Sequence, residues 1–345
     1  MKNQFGGKIT PALERIYSNS NHWDGKKFLN LEATGMDINI RTLPQLLYKQ
    51  IFQRQGRSPS QQLPVLPFDK KNFLAGTEKA KFVWYGHSVL LLRINNITVL
   101  VDPMLGPNAA PISPFSVPRF SSDTLKIIDE LPPIDLMLLS HDHYDHLDYQ
   151  SILRLIPKVG RYFVALGVGR HLESWGIDSK KIKEFDWWDD KIFGDINITF
   201  TPTRHFAGRG LSDRSKSLWG GWTFRTNTEN IYFSGDSGYG EHFKEVGAKL
   251  GPFDFAFMEC GQYDKYWHQI HMYPEESVLA ALDAQAKVIM PVHWAGFALS
   301  LHPWKEPVER FIADAYRLGI PTCTPNLGAL IELGSTPENK WWEQF

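Results

Sequence analysis

From Lys81 onward, hydrophobic positions fall in short runs of strand length separated by turn residues. Phe82–Arg93, Asn95-Asn96 and Ile97–Val101 read as a hairpin, because two asparagines tolerate the positive φ that a tight turn needs. Leu136–Ser140, Tyr162–Leu166, Ile196–Pro202, Trp222–Arg225, Ile231–Ser234, Phe253–Met258, Lys287–Val292 and Ala329–Leu333 have the same strand character. Between some of them, Asp148–Ile156, Pro274–Gln285 and Lys305–Leu318 carry apolar residues at helical spacing. Strands mixed with helices predict an α/β domain. The first 79 residues are irregular and polar by comparison and are expected to form an extension packed on a main domain spanning residues 80–345. Within the extension, Leu43–Phe52 predicts a short helix lying by its apolar side on that domain, with contact to lipid as the alternative.

Composition narrows the field. Thirty-seven Lys and Arg against 38 Asp and Glu give a net charge of −1, so no basic excess points to nucleic acid. Twelve Trp, 12 Tyr and 22 Phe are too many for a chain without a core. Two cysteines, Cys260 and Cys323, cannot staple a chain of 345 residues. The start has no apolar stretch of signal-peptide type and no run long enough to span a bilayer. The expectation is a cytoplasmic protein, with peripheral membrane contact left open.

The candidate chemistry is concentrated in His141-Asp142-His143-Tyr144-Asp145-His146, directly after the strand at Leu136–Ser140. Three imidazoles and two carboxylates in six residues repel and desolvate one another unless a cation organises them. Imidazole nitrogen and carboxylate oxygen are zinc donors, and the same set accepts iron or manganese. In an extended segment His141 and His143 point to one side, while the turn that follows redirects Asp145 and His146, which suits two metals better than one. His205, Asp236 and His293 each stand where a further strand ends, which supplies three more donors.

This ordered set resembles the metallo-β-lactamase superfamily over about residues 80–334. The resemblance implies a four-layer αββα sandwich in which His141, His143 and His205 hold one divalent metal. Asp145, His146 and His293 would hold a second, and Asp236 would bridge the two. More closely, Trp84-Tyr85-Gly86-His87-Ser88, Asp102-Pro103, Leu218-Trp219-Gly220, Gly235-Asp236-Ser237-Gly238-Tyr239, His271-Met272-Tyr273-Pro274-Glu275-Glu276 and His293-Trp294-Ala295-Gly296-Phe297 are similar to the N-acyl-phosphatidylethanolamine-hydrolysing phospholipase D subgroup. The chain departs from that subgroup at Asp142, where Asn is expected, and at Glu259-Cys260-Gly261 in place of an apolar-Pro-x-Gly pattern.

Two such metals can share and acidify one water, which makes a nucleophile without serine or cysteine. Asp145 could take that water's proton, and His271 could donate one to a leaving group or hold a phosphate oxygen, or serve only as a helix-start residue. Asp102 is expected to orient a metal-binding histidine, and His87 to support the site from behind. Tyr144, Tyr263 and Phe297 are candidate pocket residues, and the loop at Ala109–Phe120, with Ile112 and Phe115, either contacts acyl chains or packs on its own core. The expected substrate is N-acyl-phosphatidylethanolamine, cleaved to phosphatidic acid and N-acylethanolamine. A metal-dependent lactonase or phosphoesterase with a small soluble substrate, and a non-catalytic metal-binding scaffold, are the alternatives.

Overall fold

The computed structural model describes residues 2–76, 78–110, 116–210 and 212–345. Two sheets dominate it. The first contains β1 (Lys81–Trp84), β2 (Leu90–Ile94), β3 (Ile97–Val101), β4 (Ile134–Leu139), β5 (Val159–Ala165) and β6 (Ile182–Phe185), and is closed at its other edge by the last strand in the chain, Leu330–Glu332. The second contains β7 (Asp190–Phe193), β8 (Ile196–Thr201), β9 (Gly221–Arg225), β10 (Asn230–Phe233), β11 (Phe255–Glu259) and β12 (Ile289–Val292), in the order β12-β11-β10-β9-β8-β7. The remaining strand, Leu330–Glu332, is β13 and pairs antiparallel with β1.

The inner faces meet through aromatic rings. Phe82 of β1 stands edge-on to Phe257 of β11 at 5.0 Å, and Phe185 of β6 to Trp222 of β9 at 5.2 Å. Helices Pro274–Asp283 and Glu306–Leu318 pack on each other, the first also covering β11, while Thr124–Glu130 and Tyr149–Leu155 pair elsewhere in the chain. This is the expected αββα sandwich.

Strand direction places the site. β3, β4 and β5 run parallel in one sheet. In the other, β10, β11 and β12 run parallel, and β8 shares their direction because both β8 and β10 are antiparallel to β9. The carboxyl ends of β3, β4, β8, β10, β11 and β12 therefore bring Asp102, the hexapeptide, His205, Asp236, Glu259 and His293 to one edge.

Parts of the N-terminal extension lie against this edge, while Asn72 and Ala75 hold Lys81 at the far end of β1. Asn3 and Gln4 carbonyls accept from Trp175 Nε1 (2.7 Å) and Arg209 Nη2 (2.8 Å), and Leu63 N–H donates to the Phe120 carbonyl. Asn30 grips the backbone of His205 at both ends, accepting from its N–H (3.0 Å) and donating to its carbonyl (2.8 Å).

Three expectations change. The run Phe82–Arg93 is two strands, broken at Tyr85–Val89, because His87 turns to φ 54° and pairs with Trp294. β6 and β7 were not foreseen: charged residues alternate irregularly there, as suits partly exposed edge strands. The helix Leu43–Phe52 exists, but of its residues only Leu46 is buried, and its other apolar side chains face outward rather than onto the domain. Of the loop Ala109–Phe120, residues 111–115, including Ile112 and Phe115, lie outside the described residues. Phe120 is buried and Val117 half-buried. No described helix is long and apolar enough to cross a membrane.

Candidate metal centre

Two donor clusters share one carboxylate. In the first, His141 Nε2 lies 2.9 Å and His205 Nε2 3.2 Å from His143 Nδ1. In the second, His293 Nε2 is 3.3 Å from both His146 Nε2 and Asp145 Oδ2, with 3.6 Å between His146 and Asp145. Asp236 Oδ2 sits between them: 3.1 and 3.2 Å from His146 and His293, and 3.8 Å from both His141 and His205. All seven side chains proposed as ligands from sequence are thus gathered.

Backbone geometry makes these approaches. Gly235 has φ 62°, and a Cβ there would stand 2.4 Å from the Gly220 carbonyl oxygen, so the turn that aims Asp236 requires glycine. A Cβ on Gly261 would meet the His293 carbonyl oxygen at 1.9 Å. His293 itself has φ 67°, and the loop that carries it is clamped by Trp294, whose ring lies 5.4–5.5 Å from Trp84, Trp341 and Trp342.

The residues fit divalent cations. Donors of a tetrahedral zinc stand about 3.3 Å apart when each is about 2.0–2.1 Å from the ion, close to the separations inside both clusters. Imidazole nitrogens facing one another this closely cannot all be satisfied by the single proton each neutral ring carries. Asp236 Oδ1 is also buried without a hydrogen-bond partner. Electrostatics says the same. Burial opposes charge on His293, yet Asp236 and the Asp145 hydrogen bond push it up to about 10. Burial likewise opposes ionisation of Asp145 and Asp236, but neighbouring imidazoles, His146 first, hold both well below the usual carboxylate range. Without metal, protons occupy the place of the positive charge.

Supporting residues stand behind the donors. Asp102 accepts at Oδ2 from His146 Nδ1 (2.8 Å) and from Ser140 Oγ (2.6 Å), which in turn meets His141 Nδ1 at 2.9 Å. His87 is fully buried, with Nε2 2.9 Å from Asp145 Oδ2, and burial pushes its pKa down to about 3. Asp142 faces away from the donors into a pocket of its own: Ser217 Oγ (2.5 Å), Gly208 N–H (2.6 Å) and His171 Nε2 (3.1 Å) surround its carboxylate. Burial works against that charge, but the His171 hydrogen bond and Arg170 hold it well below the usual range.

Glu259, one of the chain's departures from the phospholipase D pattern, has a place beside the donors. Its buried Oε1 lies 2.9 Å from His271 Nδ1 and 3.6 Å from His293 Nδ1, while Oε2 accepts from Met272 N–H. His271 is thereby held at Nδ1, and it stands within ligand reach of His205 and Asp236. A buried glutamate at the end of an apolar strand was the available signal. Asn30, 175 residues from His205, gave none.

The three expected pocket residues fare differently. Tyr144 donates to the Arg209 carbonyl (2.5 Å), and that guanidinium lies over its ring at 4.0 Å. Phe297 is buried edge-on to His87 at 5.3 Å, behind the donors. Tyr263 is not brought to the cluster: its hydroxyl donates to Glu306 (2.6 Å) and its ring stacks on His302 at 4.2 Å. Beside the cluster, a cavity of about 310 Å³ is lined by Asn30, His205, Phe206 and Ile270, with Lys27 and Arg214 as its cations. The Arg214 guanidinium lies over Phe206 at 3.7 Å, and Phe206 in turn meets His143 edge-on at 4.5 Å.

Two buried histidines outside the donor set fix an acid limit. Burial pushes His171 down to about 4 and His242 to about 3. Both are neutral in the folded chain at pH 5 but take a proton near pH 6.5 once unfolded, so stability is retained above pH 6.5 and falls as pH drops toward the folded values. Each is expected to contribute about 2 kcal/mol of lost stability between pH 7 and pH 5. Urea unfolding of metal-free protein at the two pH values measures this, with His242→Gln removing its share; identical pH dependence in that variant contradicts the assignment.

The beta-lactamase superfamily domain matches residues 97–294. An uncharacterized protein of Mycobacterium tuberculosis is 35% identical over 342 residues, covering 97% of this chain and 91% of its own length. N-acyl-phosphatidylethanolamine-hydrolyzing phospholipase D 1 of Caenorhabditis elegans is 31% identical over 229 residues, covering 63% of this chain and 64% of that protein. Among solved structures, a metallo hydrolase from the hyperthermophilic archaeon Ignicoccus hospitalis aligns with a TM-score of 0.57 and 19% identity, over 74% of this chain and 98% of that one, a likeness of fold.

Proposed function

The chain belongs to the beta-lactamase superfamily as a metal-dependent hydrolase, and from that premise we propose that it cleaves a phosphodiester, N-acyl-phosphatidylethanolamine, to phosphatidic acid and N-acylethanolamine. The observation that carries the reading is Asp236 Oδ2 poised between two three-donor clusters. His141, His143 and His205 would hold one divalent ion, Asp145, His146 and His293 the other, with zinc as first choice and iron or manganese compatible with the same donors. Bound there, the ions supply an acidified water and a Lewis acid for a phosphoryl oxygen.

The chain's own groups do the rest. The hydrogen bond from His87 keeps Asp145 Oδ2 oriented as an anion that can receive the proton of the attacking water. Glu259 holds the Nδ1 proton of His271, leaving the opposite nitrogen to deliver a proton to the departing N-acylethanolamine oxygen as the P–O bond breaks. Lys27 and Arg214 outnumber the single carboxylate, Glu32, in the lining of the adjoining cavity, which leaves it a net positive charge to meet a phosphate. The relative from C. elegans supports this substrate by its name.

The test is hydrolysis of N-acyl-phosphatidylethanolamine in mixed micelles by metal-loaded protein, run in ¹⁸O-labelled water. N-acylethanolamine is expected to be released and label to enter phosphatidic acid. No turnover beyond a His143→Ala control rejects it, and turnover confined to soluble lactones or phosphoesters favours the small-substrate alternative, to which the same polar cavity is suited.

A further inference from the structure

The helix Leu43–Phe52 is amphipathic the wrong way round. At about 100° per residue, Leu43, Pro44, Leu47, Tyr48, Ile51 and Phe52 fill one half of its circumference. That half faces solvent: Leu43 is 45%, Leu47 51%, Tyr48 57%, Ile51 55% and Phe52 70% exposed, and the neighbouring Ile40 is 89% exposed. The opposite half carries the contacts to the protein, with Leu46 buried and Gln45 and Gln50 exposed at its borders. Gln45 Oε1 accepts from the Tyr266 hydroxyl (2.8 Å), Gln50 Oε1 accepts from Arg57 Nη2 (2.9 Å), and Leu46 alone inserts among them. Arg57 itself is buried and anchored to the Ser300 carbonyl. Polar contacts thus hold an apolar surface outward, whereas a helix stabilised by core burial would turn it in.

Charge identifies what covers it. Between residues 38 and 57 the sequence has Arg41, Lys49, Arg54 and Arg57 and no acidic residue. Arg41 and Arg54 are exposed, and Lys49 is partly so. A second copy docked by two-fold symmetry would set these cations against their own counterparts. An anionic bilayer satisfies both features at once, taking the apolar half among its acyl chains and pairing the basic rim with phosphates.

We propose that this helix docks the chain on an anionic phospholipid surface. The docking site adjoins the metal centre through the chain: Tyr266 carbonyl accepts from Asp37 N–H, Gln269 Oε1 accepts from Gly35 N–H, and both belong to the loop that presents His271. The segment leading into the helix is thereby tied to the loop that carries His271. The inference extends the proposed substrate class, but vesicles without N-acylated lipid test it independently of turnover.

The experiment is flotation of the full chain with vesicles of phosphatidylcholine containing phosphatidylglycerol, and with phosphatidylcholine alone. Wild type is expected to float with the anionic vesicles and to release as salt rises. Leu47→Gln, Ile51→Gln and Phe52→Gln together are expected to weaken this about ten-fold or more, with the melting temperature unchanged because these side chains are exposed. Arg41→Gln with Arg54→Gln is expected to abolish the preference for anionic vesicles. Because Cys260 and Cys323 are buried, Tyr48→Cys offers one reactive thiol, and an environment-sensitive dye on it should shift to the blue on vesicle addition. Failure of wild type to float, equal flotation of the triple variant, or an unshifted dye overturns the proposal. So does sedimentation in which wild type is a dimer and the triple variant a monomer, which would assign the face to a second copy.

Discussion

Asp236→Ala is expected to lower hydrolysis by about a thousand-fold or more, because it removes the one anion that touches both donor clusters. Its Oδ2 is within 3.8 Å of four imidazoles, and no other carboxylate among the described residues spans the two sets. Asp145 reaches only His87, His146 and His293. Without the bridge, the two ions would repel each other across a buried site with nothing between them. The metal content should drop below two equivalents together with the activity. Retention of both ions at full activity would remove Asp236 from the centre of the account.

His271→Ala is expected to reduce kcat by about 10²–10⁴-fold, the range for loss of a general acid, with metal content intact. The separation of the two readouts follows from geometry. His271 Nδ1 is committed to Glu259, and its ring lies 4.9 Å from that of His205 and 5.3 Å from that of His293, beside the donors and outside both triads. Glu259→Gln should reproduce part of the loss, since an amide can present its NH₂ to Nδ1 and reverse the ring's proton arrangement. A substrate with an activated, weakly basic leaving group should lose its dependence on His271. If His271→Ala lost metal as readily as Asp236→Ala, His271 would be a ligand and the proton would have to come from elsewhere.

The parts of this site that were legible in the sequence are those encoded locally. His141 to His146 are contiguous after one buried strand, and His205, Asp236 and His293 each follow an apolar run, so strand direction alone carries them to a common edge. Asp102 was legible for the same reason. The supports were harder: Asn30 meets His205 across 175 residues, and His171 meets Asp142 across 29, so no spacing rule links either pair. Tyr263 misled because its place beside the metal-site loops says nothing of which way its ring turns, and Glu306 and Arg310 decide that. The helix at Leu43–Phe52 teaches the same lesson at the level of an element. Periodicity gives its apolar half, but whether that half faces core or solvent is set by Tyr266 and Arg57, far away in sequence or outside the helix. Edge strands β6 and β7 escaped because partial exposure erases the alternation that marks a strand.

Whether Asp236 and the six donors around it hold a pair of ions is decided by metal content per chain, measured by elemental analysis on protein purified without chelator and titrated back from the stripped state. Two divalent ions per chain are expected, with hydrolysis rising as the sites fill and lost on stripping. A chain that binds no ion and gains no hydrolytic activity after exposure to zinc, iron or manganese would contradict this.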